Sequence, residues 1–211
     1  MDSTGGHPPS APADRRREIF EAAVGLFLER GYDNTPLSLV AERCGLSKAG
    51  LYHHVDSKEQ LLFQLHHDAL ERLLLPILDR AAAEPDPLRR LRDFIAAYGA
   101  LMGRDRSIRL LIDESKRLSP DHLAEIQAVW RRGYRLVRDT IVELQASGRG
   151  RSDLDPAFAA FAAIGMCSWT LYWFDGDRPE RLAELGQSYA DIFLDGLATV
   201  PAPRTGLELD R

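Results

Sequence analysis

The chain has 211 residues, of which 45% are hydrophobic and 28% are charged, a composition typical of a globular protein with enough apolar material for a core. Its formal net charge of -5 excludes a globally basic nucleic-acid-binding protein, so a DNA-binding role would need a local feature. The two cysteines, Cys44 and Cys167, lack CxxC spacing, which argues against a disulfide framework or a zinc site and favours free thiols.

The N-terminal region combines a polar arm with an amphipathic helix. Residues 1–13 are rich in Gly, Pro and Ser and lack an apolar segment, so we expect a disordered arm rather than a signal peptide. From Asp14 to Arg30 apolar residues recur at three- and four-residue intervals, which predicts a helix. Gly31 follows at once and predicts its end, because glycine readily adopts the positive φ of a helix C-terminus.

Three more helices are predicted before residue 84. With their capping residues, they are 36–44 (Thr35), 48–54 (Ser47) and a long helix over 58–83 (Ser57). Pro36 suits the first helical position, and Gly45 predicts the end of the first of these helices. Pro76 must kink or interrupt the long one.

In the remainder of the chain, a capping residue followed by proline marks most helix starts. These starts are Asp86-Pro87, Ser119-Pro120, Asp155-Pro156 and, more loosely, Asp177-Arg178-Pro179. The predicted helices span 87–102, 106–117, 120–147, 156–175 and 179–199, and 201–211 is expected to be a flexible tail. The sequence therefore predicts an all-α protein of about nine helices, with no credible sheet.

The stretch from Ala157 to Phe174 contains no charged residue, which raises the question of a membrane span. It includes Ser168 and Thr170, is rich in small residues and lacks basic flanks. We interpret it as a helix buried by protein, and expect a cytoplasmic protein without a membrane partner.

Residues 37–54, LSLVAERCGLSKAGLYHH, have the spacing of a helix-turn-helix. Gly45 supplies the corner, and apolar residues on both helices can face a shared core: Leu37, Val40, Ala41, Cys44, Leu46 and Leu51. The exposed remainder of the second helix would be Lys48, Ala49, Gly50, Tyr52, His53 and His54. Small residues there permit close approach to DNA, and Tyr52 and Lys58 can donate to phosphates. The same pattern also fits an ordinary helical hairpin in a bundle core.

The charge balance helps the DNA-binding reading only locally. Residues 1–67 carry seven Lys or Arg and nine Asp or Glu, whereas 43–58 carry three basic residues against Asp56. Residues 15–17 are three consecutive arginines, which are either a solvated basic run or a phosphate or minor-groove contact.

The stretch RREIFEAAVGLFLERGYDNTPLSLVAERCGLSKAGLYHHVDSKEQLL, residues 16–62, resembles the DNA-binding domain of TetR-type (tetracycline-repressor-like) regulators. The shared segments are AA..LF..RGY..T, VA...G.S...LYHH and SKE.LL. The likeness is strong over about the first third of the chain; beyond it, the helical layout and the length match.

The resemblance implies roles for particular residues and regions. Its implied DNA-binding set is Thr35, Ser47, Lys48, Ala49, Gly50, Tyr52, His53, His54 and Lys58. Thr35 would cap the second helix and touch a phosphate. Lys58 would touch a phosphate from the fourth helix. The implied domains are a DNA-binding domain over 14–58 and a ligand-binding and dimerisation domain over 59–200.

The last two predicted helices carry apolar residues at helical spacing. They are Phe158, Phe161, Ala162, Gly165, Trp169 and Tyr172, then Leu182, Leu185, Tyr189, Ile192, Phe193 and Leu197. So much apolar surface predicts a homodimer through a four-helix bundle, with a monomeric core as the alternative.

A small-molecule effector is the third implied partner. The run SWTLYWFDGDRPERLAELGQSYADIFLDGL resembles TetR-type members that sense acyl-CoA thioesters. Arg131, Arg135 and Arg138 lie near one face of their helix and could meet phosphates, or form a solvated face. Candidate pocket residues, each alternatively plain core, are Phe94, Tyr98, Trp130, Tyr134, Arg138, Trp169 and Trp173.

Together these patterns predict a ligand-responsive repressor that binds a palindromic operator as a dimer and is released by a small hydrophobic or acyl-CoA-type effector. The alternatives are a DNA-binding activator, a dimerising helical adaptor and a helical enzyme. No Ser/His/Asp order, phosphate-binding glycine loop or metal cluster stands out in the sequence, and His66-His67 would point about 100° apart on a helix. We therefore expect no catalytic residues, metal or cofactor.

Overall fold

A computed structural model describes residues 12–104, 106–174 and 180–198. Its α-helices are α1 Pro12–Arg30, α2 Leu37–Arg43, α3 Lys48–Tyr52, α4 Lys58–Ala69, α5 Leu75–Ala83, α6 Pro87–Met102, α7 Arg106–Glu114, α8 Pro120–Ala146, α9 Pro156–Trp173 and α10 Glu180–Leu197. A π-helical turn at Leu70–Leu74 joins α4 to α5, and a 3-10 turn at Ser115–Arg117 follows α7. The described residues thus form nine continuous helical segments without a β-strand, which confirms the all-α prediction.

The contacts divide the chain into two compact units. The described parts of Met1–Arg72 and Asp105–Ala128 form the first unit, and those of Leu73–Arg104 and Val129–Arg211 form the second. The domain boundaries implied by the family resemblance remain predictions.

The first unit has a core built from the apolar faces of its short helices. The buried residues include Ile19, Ala23, Leu26 and Phe27 of α1, Val40 and Ala41 of α2, Leu51 of α3, and Leu61, Leu62 and Leu65 of α4. Gly31 and Gly45 end α1 and α2 with φ values of 81° and 65°, as predicted from their positions. Four of the six residues predicted for the shared core of the helix-turn-helix are therefore buried, whereas Cys44 and Leu46 are half-buried.

Most predicted caps are confirmed. The Ser47 and Ser57 side chains accept hydrogen bonds from the backbone N–H groups of Gly50 and Gln60. Asp86 and Asp155 cap α6 and α9 in the same way.

The predicted cap of α2 is wrong. Pro36 occupies the N-cap position without a side-chain hydrogen bond, and so is not the first helical residue. Thr35 is fully buried instead, and its hydroxyl donates to the carbonyl of Gly31 over 2.9 Å. A buried hydroxyl needs a partner, and the Gly31 carbonyl just after α1 supplies it.

Several predicted boundaries also shift. Helix α3 ends at Tyr52 rather than residue 54, and α9 ends at Trp173. The predicted start at 177–179 lies outside the described residues, and α10 is described from Glu180.

The helix interruption expected at Pro76 is a π-helical turn just before this residue. Pro76 belongs to the first turn of α5, and the π-helical turn at Leu70–Leu74 precedes it. Proline has no N–H to donate and its ring clashes with the carbonyl four residues earlier. A wider π turn accommodates both effects and leaves the helix continuous.

In the second unit, α6, α9 and α10 pack through small residues. A Cβ on Gly186 of α10 would overlap the backbone carbonyl of Ala96 on α6, so the crossing requires glycine. Cys167 of α9 is a free, buried thiol 3.8 Å from the Ile95 carbonyl, and burial raises its pKa to about 12. Cys44 is also free but only half-buried, whereas a buried thiol was expected at both positions.

The expectation that the uncharged stretch is buried by protein is wrong, since Phe158, Phe161 and Trp169 of α9 are exposed. No helix among the described residues is long and apolar enough to cross a membrane. No group of three or more His, Cys, Asp or Glu side chains among them could hold a metal ion.

The fold generates a prediction for stability against pH. His66 on α4 is 3% exposed, its Nε2 has no hydrogen-bond partner, and burial lowers its pKa from 6.5 to about 4. Between these values the unfolded chain takes up a proton that the folded protein does not, so the free energy of unfolding falls as the pH falls. The full loss should be on the order of 3 kcal/mol.

Urea denaturation at pH 7 and pH 4.5 measures this loss. His66→Leu should lose distinctly less stability than wild type between the two pH values. His67→Leu is the matched control, because His67 is its exposed neighbour and contacts Glu71. Equal pH dependence in wild type and His66→Leu would contradict the assignment.

Candidate DNA-binding site and effector unit

Helix α3 has one buried residue, Leu51, and a short exposed surface. Leu51 is fully buried, whereas Lys48 and Ala49 are exposed and Tyr52 is 43% exposed. His53 and His54 are exposed just after the end of the helix. The predicted recognition residues are thus brought together on one surface.

Gly50 has a structural role that the sequence did not reveal. Its N–H donates to the Ser47 hydroxyl over 3.0 Å, and a Cβ at position 50 would come within 3.3 Å of the same oxygen. Glycine therefore leaves room for the cap of α3, in addition to any close approach to DNA.

Some of the local positive charge is already paired. Arg43, which improved the charge balance of the segment, contacts the carboxylate of Glu29 over 2.9 Å. The hydrogen bond from Arg43 lowers the pKa of Glu29. Arg43 therefore links α2 to α1 and offers less charge to a partner than the sequence suggested.

The three consecutive arginines also contact their own helix. Arg15 pairs with Glu18 over 2.7 Å and Arg17 with Glu21 over 2.9 Å. The Arg16 guanidinium lies 5.0 Å from the centre of the Phe20 ring. These contacts favour the solvated-run interpretation over a dedicated nucleic-acid contact.

Lys58 projects from the first turn of α4 over the loop that follows α1. Its Nζ donates to the backbone carbonyl of Asp33 over 3.3 Å and lies 4.2 Å from the centre of the Tyr32 ring. Partial burial lowers the pKa of Lys58. The buried Thr35 fixes the same loop through Gly31, so it is positioned behind Lys58 rather than on the surface.

The predicted effector residues do not converge on one place in the second unit. Phe94 and Tyr98 of α6 stack with ring centres 5.4 Å apart, and the Tyr98 hydroxyl lies 3.1 Å from that of Ser168 on α9. Burial raises the pKa of Tyr98, so it remains a neutral hydrogen-bonding group.

A second aromatic group forms between α8 and α9. Tyr134 stacks on Phe161 with ring centres 4.8 Å apart, and the Arg138 guanidinium lies 5.8 Å from the Tyr134 ring. Arg138 also contacts Asp139 over 2.6 Å, so its charge is partly neutralised. Trp130 is half-buried on the same helix, and Arg131 and Arg135 are exposed.

The other two predicted pocket residues lie on an exposed apolar face of α9. Trp169 and Trp173 are 65% and 53% exposed, and Phe158 is 76% exposed. Ala162 and Gly165 lie between them in sequence and are also exposed. Such a large apolar surface on one helix is characteristic of an interaction site.

Helix α10 contributes less to this exposed face than its sequence pattern predicts. Ile192 is 65% exposed, but Leu182 and Leu197 are buried within the second unit. Leu185, Tyr189 and Phe193 are half-buried. The regular spacing of apolar residues on α10 therefore mainly reflects packing within the chain.

Two partly buried polar contacts were missed by sequence reasoning. Thr170 and Tyr189 place their hydroxyl oxygens 3.0 Å apart, and Ser168 pairs with Tyr98. The available signal was the presence of Ser168 and Thr170 in an otherwise apolar helix, but their partners are distant in sequence.

An exposed recognition helix on a helix-turn-helix, followed by a helical unit, defines a DNA-binding regulator. Residues 19–65 match the family described as bacterial regulatory proteins, tetR family, and residues 84–197 match the tetracyclin repressor-like C-terminal domain. The chain belongs to this family. It is accordingly a transcriptional regulator and not an enzyme.

Three relatives illustrate the likeness. The transcriptional repressor KstR2 of Mycolicibacterium smegmatis is 32% identical over 196 residues, covering 90% of this chain and 93% of the relative. The structure of KstR2 of Mycobacterium tuberculosis, a ketosteroid transcriptional regulator, has a TM-score of 0.78 and 26% identity, covering 88% and 96% of the two chains. AibR in complex with isovaleryl coenzyme A and operator DNA has a TM-score of 0.71 and 29% identity, covering 81% and 94%.

Proposed function

We propose that the chain is a cytoplasmic repressor that binds a palindromic operator as a homodimer and leaves it when a small hydrophobic or acyl-CoA-type effector binds. The exposed recognition surface of α3 carries this proposal. A relative named as a repressor and a solved relative holding both operator DNA and an acyl-CoA support it.

The proposed DNA-binding surface combines base and phosphate contacts. Lys48, Ala49, Gly50 and Tyr52, with Ser47, His53 and His54 beside them, would enter the major groove. Lys58 would contact a phosphate from α4. Thr35 would act indirectly, because its hydroxyl is buried against Gly31.

The proposed dimer interface is the exposed apolar face of α9, with Ile192 of α10. In a two-fold dimer the same face of each subunit packs against its copy, which would bury Phe158, Phe161 and Trp169. Burial of exposed apolar area at about 25 cal/mol per Å² is the driving force. This arrangement would set the distance between the two recognition helices.

The effector would bind in the second unit and act through the dimer. The half-buried Tyr98–Ser168 pair and the Tyr134–Arg138 group each combine aromatic rings with polar atoms, as ligand recognition requires. To release DNA, the effector must bind the DNA-free conformation more tightly than the DNA-bound one.

The salt dependence of DNA binding tests the recognition surface. The probe is double-stranded DNA selected from a random library by the wild-type protein. Lys48→Ala should bind it more weakly, and its slope of log affinity against log salt should be less steep by about 0.9, because one phosphate or base-edge cation is lost.

Arg72→Ala is the matched control, since it also removes one positive charge but from an exposed pair with Asp68 at the far end of α4. Its salt slope should equal that of wild type. Failure of wild type to select any DNA, or an unchanged slope in Lys48→Ala, would count against the proposal.

A second experiment tests the interface. Trp169→Glu should convert the dimer to a monomer in analytical ultracentrifugation while the helical circular dichroism is retained, because a charge would be buried against its own copy. Leu28→Glu, at a comparably apolar and 47% exposed position on α1, is the control and should remain dimeric. A dimeric Trp169→Glu would place the interface elsewhere.

A further inference from the structure

Two acidic residues neighbour Lys58, the cation proposed to bind a DNA phosphate. Asp33 accepts the Lys58 hydrogen bond through its backbone carbonyl, and Glu59 follows Lys58 in the chain. The Asp33 side chain is 65% exposed. Free carboxylates at this place would repel the phosphates that Lys58 attracts.

Both carboxylates are instead held by one distant segment of the first unit, residues 117–122. Arg117 Nη2 contacts Asp33 Oδ2 over 2.5 Å, across 84 residues of sequence. Arg117 Nε also lies 3.4 Å from Glu114, so the guanidinium joins two carboxylates. Its centre lies 6.0 Å from the same Tyr32 ring that Lys58 covers.

Glu59 is held at the other end of the 117–122 segment. Its Oε1 accepts hydrogen bonds from the Ser119 backbone N–H over 2.7 Å and shares one with His122 Nδ1 over 2.8 Å. Phe63, one turn along α4, stacks on the His122 ring with centres 3.9 Å apart and planes 7° apart. Burial opposes ionisation of Glu59, but its bonds to Ser119 and His122 outweigh burial and lower its pKa.

Three charged side chains act on the Lys58 ammonium group. Partial burial lowers the pKa of Lys58 and Arg117 lowers it further, whereas Asp33 and Glu114 raise it. The first unit also has more acidic than basic residues over 1–67. A DNA-binding surface on such a unit depends on local neutralisation of its nearest carboxylates.

We propose that the 117–122 segment is a positioning element for DNA binding, in which Arg117 neutralises Asp33 while Ser119 and His122 hold Glu59. Undocking of this segment would leave both carboxylates unpaired near Lys58 and weaken DNA binding without removing any DNA contact. Arg117 acts through Asp33 and not on the DNA itself. This inference rests on the proposed function, since it needs Lys58 to meet DNA.

A double substitution tests whether Arg117 acts through Asp33 or contacts DNA directly. The probe is the DNA selected by wild type from a random library. Arg117→Ala should weaken binding by about tenfold at low salt, because an exposed carboxylate then faces the phosphates within a Debye length. Adding Asp33→Asn should restore most of the affinity, since it removes the repulsion, and Arg117→Lys should keep most of it by retaining the charge.

Arg72→Ala controls for the loss of one positive charge and should bind like wild type. The thermal midpoint of each variant is measured alongside, because a purely structural role would lower stability and would not be reversed by Asp33→Asn. The proposal is overturned if Arg117→Ala binds like wild type. It is also overturned if the double variant binds as weakly as Arg117→Ala with a less steep salt slope, which would make Arg117 a phosphate contact. Failure of wild type to select DNA would reject the proposed function itself.

Discussion

The recognition surface depends on the burial of Leu51. Helix α3 has five residues, far fewer than an isolated helix needs to be stable in water. Its conformation therefore comes from its surroundings: Leu51 is fully buried, Ser47 caps the N-terminus and Gly45 makes the corner. The burial of Leu51 holds α3 in place and leaves Lys48, Ala49 and Tyr52 exposed.

The acidity of the first unit is the second constraint. Several of its carboxylates are paired within the fold, Glu29 with Arg43 and Asp33 with Arg117. Glu59 is held by backbone and imidazole groups. The pairing of these carboxylates reduces the free negative charge of the unit that presents the exposed Lys48.

Local sequence signals were sufficient for the helices, most caps and the exposed residues of α3, because each of these depends on neighbours within four residues. They did not predict contacts between residues that are distant in sequence. They also did not decide between two local hydrogen bonds that one side chain could form. Thr35 was assigned to α2 but bonds back to the turn after α1. The apolar period of α10 suggested an interface, whereas Leu182 and Leu197 pack inside the subunit. The link from Arg117 to Asp33 spans 84 residues and leaves no pattern in the sequence.

In the proposed function a two-fold dimer reads a palindrome through α3. Selection of bound sequences from random DNA, followed by hydroxyl-radical footprinting of the enriched site, tests this arrangement. We expect an inverted repeat with protected half-sites on one face of the duplex, their centres separated by about one helical turn, 34–36 Å, or a multiple of it. Enrichment of a single asymmetric site, or no enrichment at all, would contradict it.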